Sequence, residues 1–314
     1  MAWSALALAL ASFGATLYLE ANSGSYSSGL LKNAAFIAAG FSTTGVGFLL
    51  AIRQERNPIG WILLASGLYL ALVGTTTAYA NYGVLANPDS LPGTEWAVVF
   101  EDRTWPMLFV GITAVAYVFP TGALPAGRWR PIAWVAAVSF AALILVTPFT
   151  TEAFADPFAA VNNPLPSLDP GMYALLINLG MAGALAGMVG AALSVRSRLK
   201  AATGTERLQL RWLAYSASVI PAAMVVCLTE IAISGDDGPA TFLALVAAIT
   251  AIPVSIAIAV SRYRLYDIDR LANRTLVYAC LTAILAIAFG GVTLLVGTWA
   301  GSGSTLPTAA ATLA

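Results

Sequence analysis

The chain alternates between long apolar runs and short polar connections. Most of the runs approach the ~20 residues that a helix needs to cross about 30 Å of hydrocarbon. The complete runs are 2–19, 33–52, 58–80, 104–119, 131–149, 171–194, 211–233, 240–260 and 275–299. Because they are continuous and not alternating, they predict helices. The pattern therefore predicts an all-α, polytopic transmembrane bundle of nine complete spans plus the start of a tenth, in a single membrane domain over residues 1–314.

Polar residues at the edges of the runs predict where helices begin. The pairs Asn57-Pro58, Asp169-Pro170 and Gly238-Pro239 each place a capping residue before a proline. Proline fits the first helical turn because its missing N–H would have no partner there. The fourth run is short, and we expect either local thinning of the bilayer around it or a surface helix over residues 95–103 before it.

The composition supports a membrane protein. Hydrophobic residues make up 59% of the chain and charged residues 10%, with a mean hydropathy of +0.81. Soluble domains carry roughly 25% charged residues. The formal net charge is zero and no basic domain is present, which argues against nucleic-acid binding.

The charges are sorted between alternate connections. Thirteen of the 15 basic residues fall in one set: Arg53, Arg56, Arg128, Arg130, Arg196, Arg198, Lys200, Arg207, Arg211, Arg262, Arg264, Arg270 and Arg274. The other set holds ten of the 15 acids. Because short loops rich in Lys and Arg stay in the cytoplasm, we expect a multi-pass membrane protein with a cytoplasmic N-terminus.

Four segments carry a resemblance to a known family. They read RYRLYDIDR over 262–270, continuing as NRTLVY over 273–278; NPIGW over 57–61; FPTG over 119–122 with RWRP over 128–131; and ERLQLRW over 206–212. This set resembles the N-terminal membrane region of bacterial, actinobacterial-type two-component sensor histidine kinases. The resemblance implies a signal-input module in the bacterial plasma membrane. It also implies a cytoplasmic kinase domain and response regulator as partners, and a homodimer or pairing with a full-length kinase.

The chain departs from these kinases in its catalytic residues. It has no histidine to accept phosphate and no glycine-rich phosphate loop, so no catalytic residue, cofactor or enzyme activity is assigned to it. We expect the sequence to be a piece that stops before a cytoplasmic catalytic domain. Two other functions stay open: a small-molecule transporter or permease, and a kinase-less assembly partner.

A candidate ligand or signal pocket is predicted from Arg103, Trp105, Asn178 and Glu230. Arginine recognises carboxylates in a forked geometry, and polar groups inside a bilayer are often functional. Three of these residues also have a purely structural interpretation. Arg103 could pair with its acidic neighbours, Asn178 could hydrogen bond between helices, and Glu230 lies close enough to a helix end for its carboxylate to reach the surface.

A second candidate group is expected to couple the membrane helices to a cytoplasmic effector. Arg264, Asp267 and Arg270 are spaced by three, so they could form a ladder of ion pairs on one helical face. Tyr266, Asp269 and Asn273 complete the group. The alternative is a helix that lies in the interface and is anchored by its tyrosines.

Two weaker patterns concern packing and metals. Gly183 and Gly187 form a small-xxx-small pair, which predicts a close helix contact. Cys227 and Cys280 lie in different runs without a CxxC pair, and no metal site is predicted.

Overall fold

The structure is a computed structural model that describes residues 1–23, 26–234 and 239–263. The helices are α1 (Ala2–Asn22), α2 (Tyr26–Arg53), α3 (Pro58–Ala80), α4 (Thr94–Arg103), α5 (Met107–Val118), α6 (Trp129–Val146), α7 (Pro170–Ala201), α8 (Gly204–Ser234) and α9 (Pro239–Tyr263). A π-helical turn, Asn81–Ala86, extends α3, and a 3₁₀ turn, Thr147–Phe149, extends α6. Across these ranges every regular element is helical, which confirms the all-α prediction.

Four helical segments are long and apolar enough to cross a membrane: Ala2–Asn22, Pro58–Ala86, Trp129–Phe149 and Pro170–Ala201. They indicate a membrane protein. Shorter apolar segments are Ile37–Arg53 within α2, Met107–Val118, which is α5, and Val246–Ala259 within α9. The prediction of nine complete spans is therefore not supported by the described residues. The 12 residues of α5, for example, extend only about 18 Å at 1.5 Å per residue. The predicted ninth span and the start of the tenth lie outside the described residues.

Several predicted helix starts are confirmed. Asn57 Oδ1 accepts the backbone N–H of Ile59 at 3.0 Å, and Asp169 Oδ1 accepts that of Met172 at 3.0 Å. The helix α9 begins at Pro239, and a helix is present at the expected position before α5 as α4. Its location on the membrane surface stays a prediction. These boundaries follow from side-chain caps and proline geometry, which are local properties of the sequence.

The chain divides into two compact units. The first contains residues 3–26 and 68–198, and the second contains residues 27–67 and 199 onward. The helices α3 and α7 contribute residues to both units. Each unit is described separately below.

In the first unit, α6 and α7 pack through glycines. We call Gly180, Gly183, Gly187 and Gly190 of α7 the glycine seam. A Cβ atom added to any of them would overlap α6, at Leu143, Ser139, Ala136 and Ile132 respectively. Because the numbers rise along α7 and fall along α6, the helices are antiparallel. The predicted close contact at Gly183 and Gly187 is confirmed.

Hydrogen bonds join other helices of this unit. Thr75 Oγ1 of α3 donates to the carbonyl of Ser12 in α1 at 2.9 Å, and Tyr117 of α5 donates to the carbonyl of Gly187 in α7 at 2.7 Å. The guanidinium of Arg198, near the end of α7, donates to the carbonyls of Ala116 and Phe119. It thereby satisfies carbonyls at the C-terminus of α5 that have no partner within that helix.

In the second unit, α2 and the start of α3 also approach closely at glycines. A Cβ atom added to Gly47 would lie 2.7 Å from Leu64 Cα, and one added to Gly67 would lie 2.6 Å from the backbone nitrogen of Thr44. The helices α8 and α9 are joined by the hydroxyls of Ser216 and Ser255, 3.1 Å apart.

The glycine seam yields a stability prediction. In Gly187→Ala the new methyl group would lie 2.8 Å from Ala136 Cα, so α6 and α7 must separate. We expect a loss of about 1–3 kcal/mol, as for overpacked cores. The measurement is thermal unfolding of the purified protein in detergent. The control is Gly14→Ala in α1, where an added Cβ meets nothing within 4 Å. Equal unfolding temperatures for the two variants would contradict close packing of α6 and α7 at the glycine seam.

Candidate functional site

A folded cap covers the end of the first unit where α3 and α6 finish. We call residues 81–103 and 147–168 the α4 cap. Its core contains three residues of α4 (Ala97, Val98 and Val99) and Phe154 and Phe158 from the connection between α6 and α7, and this core packs on Ala80 at the end of α3. The phenol of Tyr79 donates to the carbonyl of Pro92 at 2.8 Å. Two distant loops are thus held together by buried apolar side chains.

Arg103 links the two halves of the α4 cap. Its Nη2 atom donates to the carbonyls of Glu152 at 2.8 Å and Ala153 at 2.9 Å. Its Nε atom lies 3.1 Å from Asp102 Oδ2, and its guanidinium carbon lies 4.8 Å from the ring centroid of Phe154. The pairing of Arg103 with an acidic neighbour, which is its structural interpretation, is observed. Its role toward a ligand stays a prediction.

The turn from α4 to α5 is held from two sides. Tyr69 of α3 donates its hydroxyl to the carbonyl of Thr104 at 2.8 Å, and Thr147 donates to the carbonyl of Arg103 at 2.8 Å. Trp105 follows in this turn and is 37% exposed, with its ring edge-on to Phe109 at 6.2 Å. Arg103 and Trp105 therefore lie in one fixed turn at the edge of the cap.

The other two residues of the predicted pocket have partners elsewhere. Asn178 is exposed and donates to the carbonyl of Ala174 within α7 at 2.7 Å. Glu230, in the second unit, accepts the backbone N–H groups of Ala240 at 3.2 Å and Thr241 at 2.6 Å. A carboxylate here caps the N-terminus of α9 and complements the helix dipole. A ligand-binding role for either residue stays a prediction.

The predicted coupling group lies outside the described residues. Its members are Arg264, Tyr266, Asp267, Asp269, Arg270 and Asn273.

The sequence analysis did not identify Glu101 as a candidate functional residue. It lies in α4, partly buried. Burial and the neighbouring Asp102 carboxylate raise the pKa of Glu101 from 4.5 to about 6. Two adjacent acids in a helix expected to lie against a membrane surface were the available signal, because at least one of them would be desolvated.

Charges in the first unit separate to its two ends. The acids belong to the end that carries the α4 cap: Glu20 in the last turn of α1, Asp89, Glu95, Glu101 and Asp102 around α4, and Glu152, Asp156 and Asp169 before α7. Four arginines belong to the opposite end: Arg128 and Arg130 at the start of α6, and Arg196 and Arg198 at the end of α7. Arg103 is the fifth arginine of this unit and lies in the cap.

The helices α6 and α7 run between the cap end and the basic end of the first unit. Among the described residues, no group of three or more His, Cys, Asp or Glu side chains is placed to hold a metal ion.

No family model, curated protein or solved structure matches the chain.

The raised pKa of Glu101 predicts a pH-dependent stability. Between pH 4.5 and about 6 the folded protein holds a proton on Glu101 that the unfolded chain has released. Stability from this group therefore rises as the pH falls through about 6 and levels off below 4.5. We expect Glu101→Gln to remove the part of the pH dependence of the unfolding temperature that this group causes. The control is Asp89→Asn, an exposed acid of the same cap. A wild-type pH profile that is unchanged in Glu101→Gln would contradict the assignment.

Proposed function

We propose that the chain is the membrane-embedded input module of a signalling protein. In this proposal nine spans cross a bacterial plasma membrane, the N-terminus is cytoplasmic, and the α4 cap faces outward. The module passes a signal received at the cap or in the bilayer to a cytoplasmic effector. The observation that carries the proposal is the separation of the acidic cap end from the arginine-rich end of the first unit.

The orientation is supported by the behaviour of basic residues during insertion. Arginine and lysine near the ends of spans remain on the cytoplasmic side, whereas acids contribute little to orientation. Arg128, Arg130, Arg196 and Arg198 share one end, so that end is assigned to the cytoplasm. Arg103 is the exception, and its charge is paired inside the folded cap.

A signalling role is favoured over transport by the position of the ionisable groups. Coupled carriers place such groups near the midplane of the bilayer. The four membrane-length helices carry acidic and basic residues only near their ends: Glu20, Arg130, Arg196, Arg198 and Lys200. The middle of each of these helices offers no charge to bind an ion or a charged solute.

The helix α7 gives a direct route from the cap to the other end. It follows the cap connection, where the backbone N–H of Leu168 donates to the carbonyl of Phe149 at 2.9 Å. Its 32 residues extend about 48 Å. Near its far end Arg198 holds the C-terminus of α5. A displacement of the cap would thus move α7 and, through Arg198, the end of α5.

The family resemblance supplies the effector class. In that class the partners are a histidine kinase domain and a response regulator, and the assembly is a homodimer or a pair with a full-length kinase. The coupling group from Arg264 to Asn273 would join the spans to this effector.

The proposal is tested by adding a tenth transmembrane helix and a dimeric histidine kinase core after Ala314 and measuring autophosphorylation in vesicles. The added helix is needed because nine spans from a cytoplasmic N-terminus leave Ala314 on the outer side. Arg103→Gln removes the bonds to the carbonyls of Glu152 and Ala153 and loosens the cap. We expect the rate to change by about fivefold or more, a typical strength for coupling between sites. The matched control is Asp89→Asn, which removes an exposed charge from the same cap and should leave the rate unchanged.

An equal rate in the native and Arg103→Gln fusions, with the altered cap verified by protease sensitivity, would contradict the signalling role. Solute flux through vesicles containing the native chain would instead support the transporter. Silencing of a full-length kinase by the unfused chain would support the assembly partner.

A further inference from the structure

An apolar crevice lies between α5 and α6 in the first unit. Its volume is about 380 Å³ and its walls expose almost no polar atoms. Trp134, Val110 and Leu124, at its edge, are 59%, 37% and 41% exposed. The lining residues on α6 are Ala133, Trp134, Ala136, Ala137, Phe140, Ala141 and Ile144.

The crevice follows the axis of α6. From Ala133 to Ile144 the helix rises about 16 Å at 1.5 Å per residue. Its lining is therefore elongated, which suits an extended hydrocarbon chain better than a compact solute. Because α6 is one of the four membrane-length helices, the medium beside the crevice in a membrane is lipid.

One basic residue lies on the same face of α6, at the end of the crevice. Arg130 precedes Ala133 by three residues and Trp134 by four, so it is one helical turn away on the lining face. It is exposed. The neighbouring Arg128 is also exposed, and its guanidinium carbon lies 4.7 Å from the ring centroid of Trp129.

This end of the first unit holds no acidic residue in the described ranges, since its acids are all at the cap end. Within those ranges neither Arg128 nor Arg130 forms a salt bridge. Basic pockets between membrane helices bind anionic headgroups, and each arginine near the surface contributes to that attraction. The crevice thus combines a long apolar wall with a positive charge at one end.

We propose that this crevice is a binding site for an anionic phospholipid. One acyl chain lies between α5 and α6, and the phosphate lies on Arg130, with Arg128 adding positive charge. The proposal rests on the membrane position of α6 and is independent of the signalling role. It is therefore tested without the effector.

The test is native mass spectrometry of the whole chain purified in detergent, with retained lipid counted after titration. The probes are phosphatidylglycerol and phosphatidylcholine with identical acyl chains. We expect the native protein to retain the anionic lipid preferentially. In Arg130→Gln this preference should fall by about fivefold, the effect of one arginine near a membrane surface.

Two matched pairs of variants separate the site from general surface effects. Ala137→Phe fills the crevice and should abolish retention, whereas Val138→Phe, at a 66% exposed neighbour that does not line it, should not. Arg196→Gln removes an arginine from the same end, on α7, and should have a smaller effect than Arg130→Gln.

Three results would overturn the proposal. They are equal retention of the two lipids by the native protein, unchanged retention in Ala137→Phe, and equal losses in Arg130→Gln and Arg196→Gln.

Discussion

The exclusion of charge from hydrocarbon is the constraint on which the rest of this structure depends. A charged side chain at the centre of a membrane helix costs at least about 2.5–3.5 kcal/mol by insertion scales. In the first unit this cost is avoided, because charged residues lie at the ends of α1, α6 and α7 or in the α4 cap. The positions of helix ends, the folded cap and the proposed orientation all follow from that separation.

Apolar helices in lipid gain little from burying apolar surface against one another, so other interactions must drive their association. Here those interactions are close packing and hydrogen bonds. The glycine seam brings α7 onto α6, and Tyr117 reaches the carbonyl of Gly187 from α5. On α3, Thr75 reaches the carbonyl of Ser12 in α1 as well as that of Ala71 in its own helix. Small and hydroxyl-bearing residues therefore determine which helices pack together.

The features predicted correctly from the sequence were local ones. The caps at Asn57 and Asp169 and the helix α4 depend on residues within a few positions of one another. The spacing of Gly183 and Gly187 that predicted a close contact is also local, although the helix they contact, α6, is distant in the chain. The count of complete spans was not supported, because apolar runs were read from composition alone. The run at 104–119 begins with Thr104, Trp105 and Pro106, which form a turn before the short helix α5.

The α4 cap and the contact of Arg198 with the end of α5 could not be predicted, because they join residues far apart in the chain. Arg103 meets carbonyls 49 and 50 residues away, and Arg198 meets carbonyls 79 and 82 residues away. Every residue has a backbone carbonyl, so no sequence motif identifies the carbonyls that these arginines bind. The pKa of Glu101 depends on the same long-range folding, because it arises from burial within the cap.

The central claim is that the α4 cap and the arginine-rich end lie on opposite sides of the membrane, with the cap outside. It is tested by replacing Cys227 and Cys280 with Ala and introducing single cysteines as Asn162→Cys, in the cap, or Thr203→Cys, between α7 and α8. A membrane-impermeant thiol reagent is then applied to intact cells. The account predicts that Asn162→Cys reacts and that Thr203→Cys reacts only after lysis. Labelling of Thr203→Cys with protection of Asn162→Cys would contradict it.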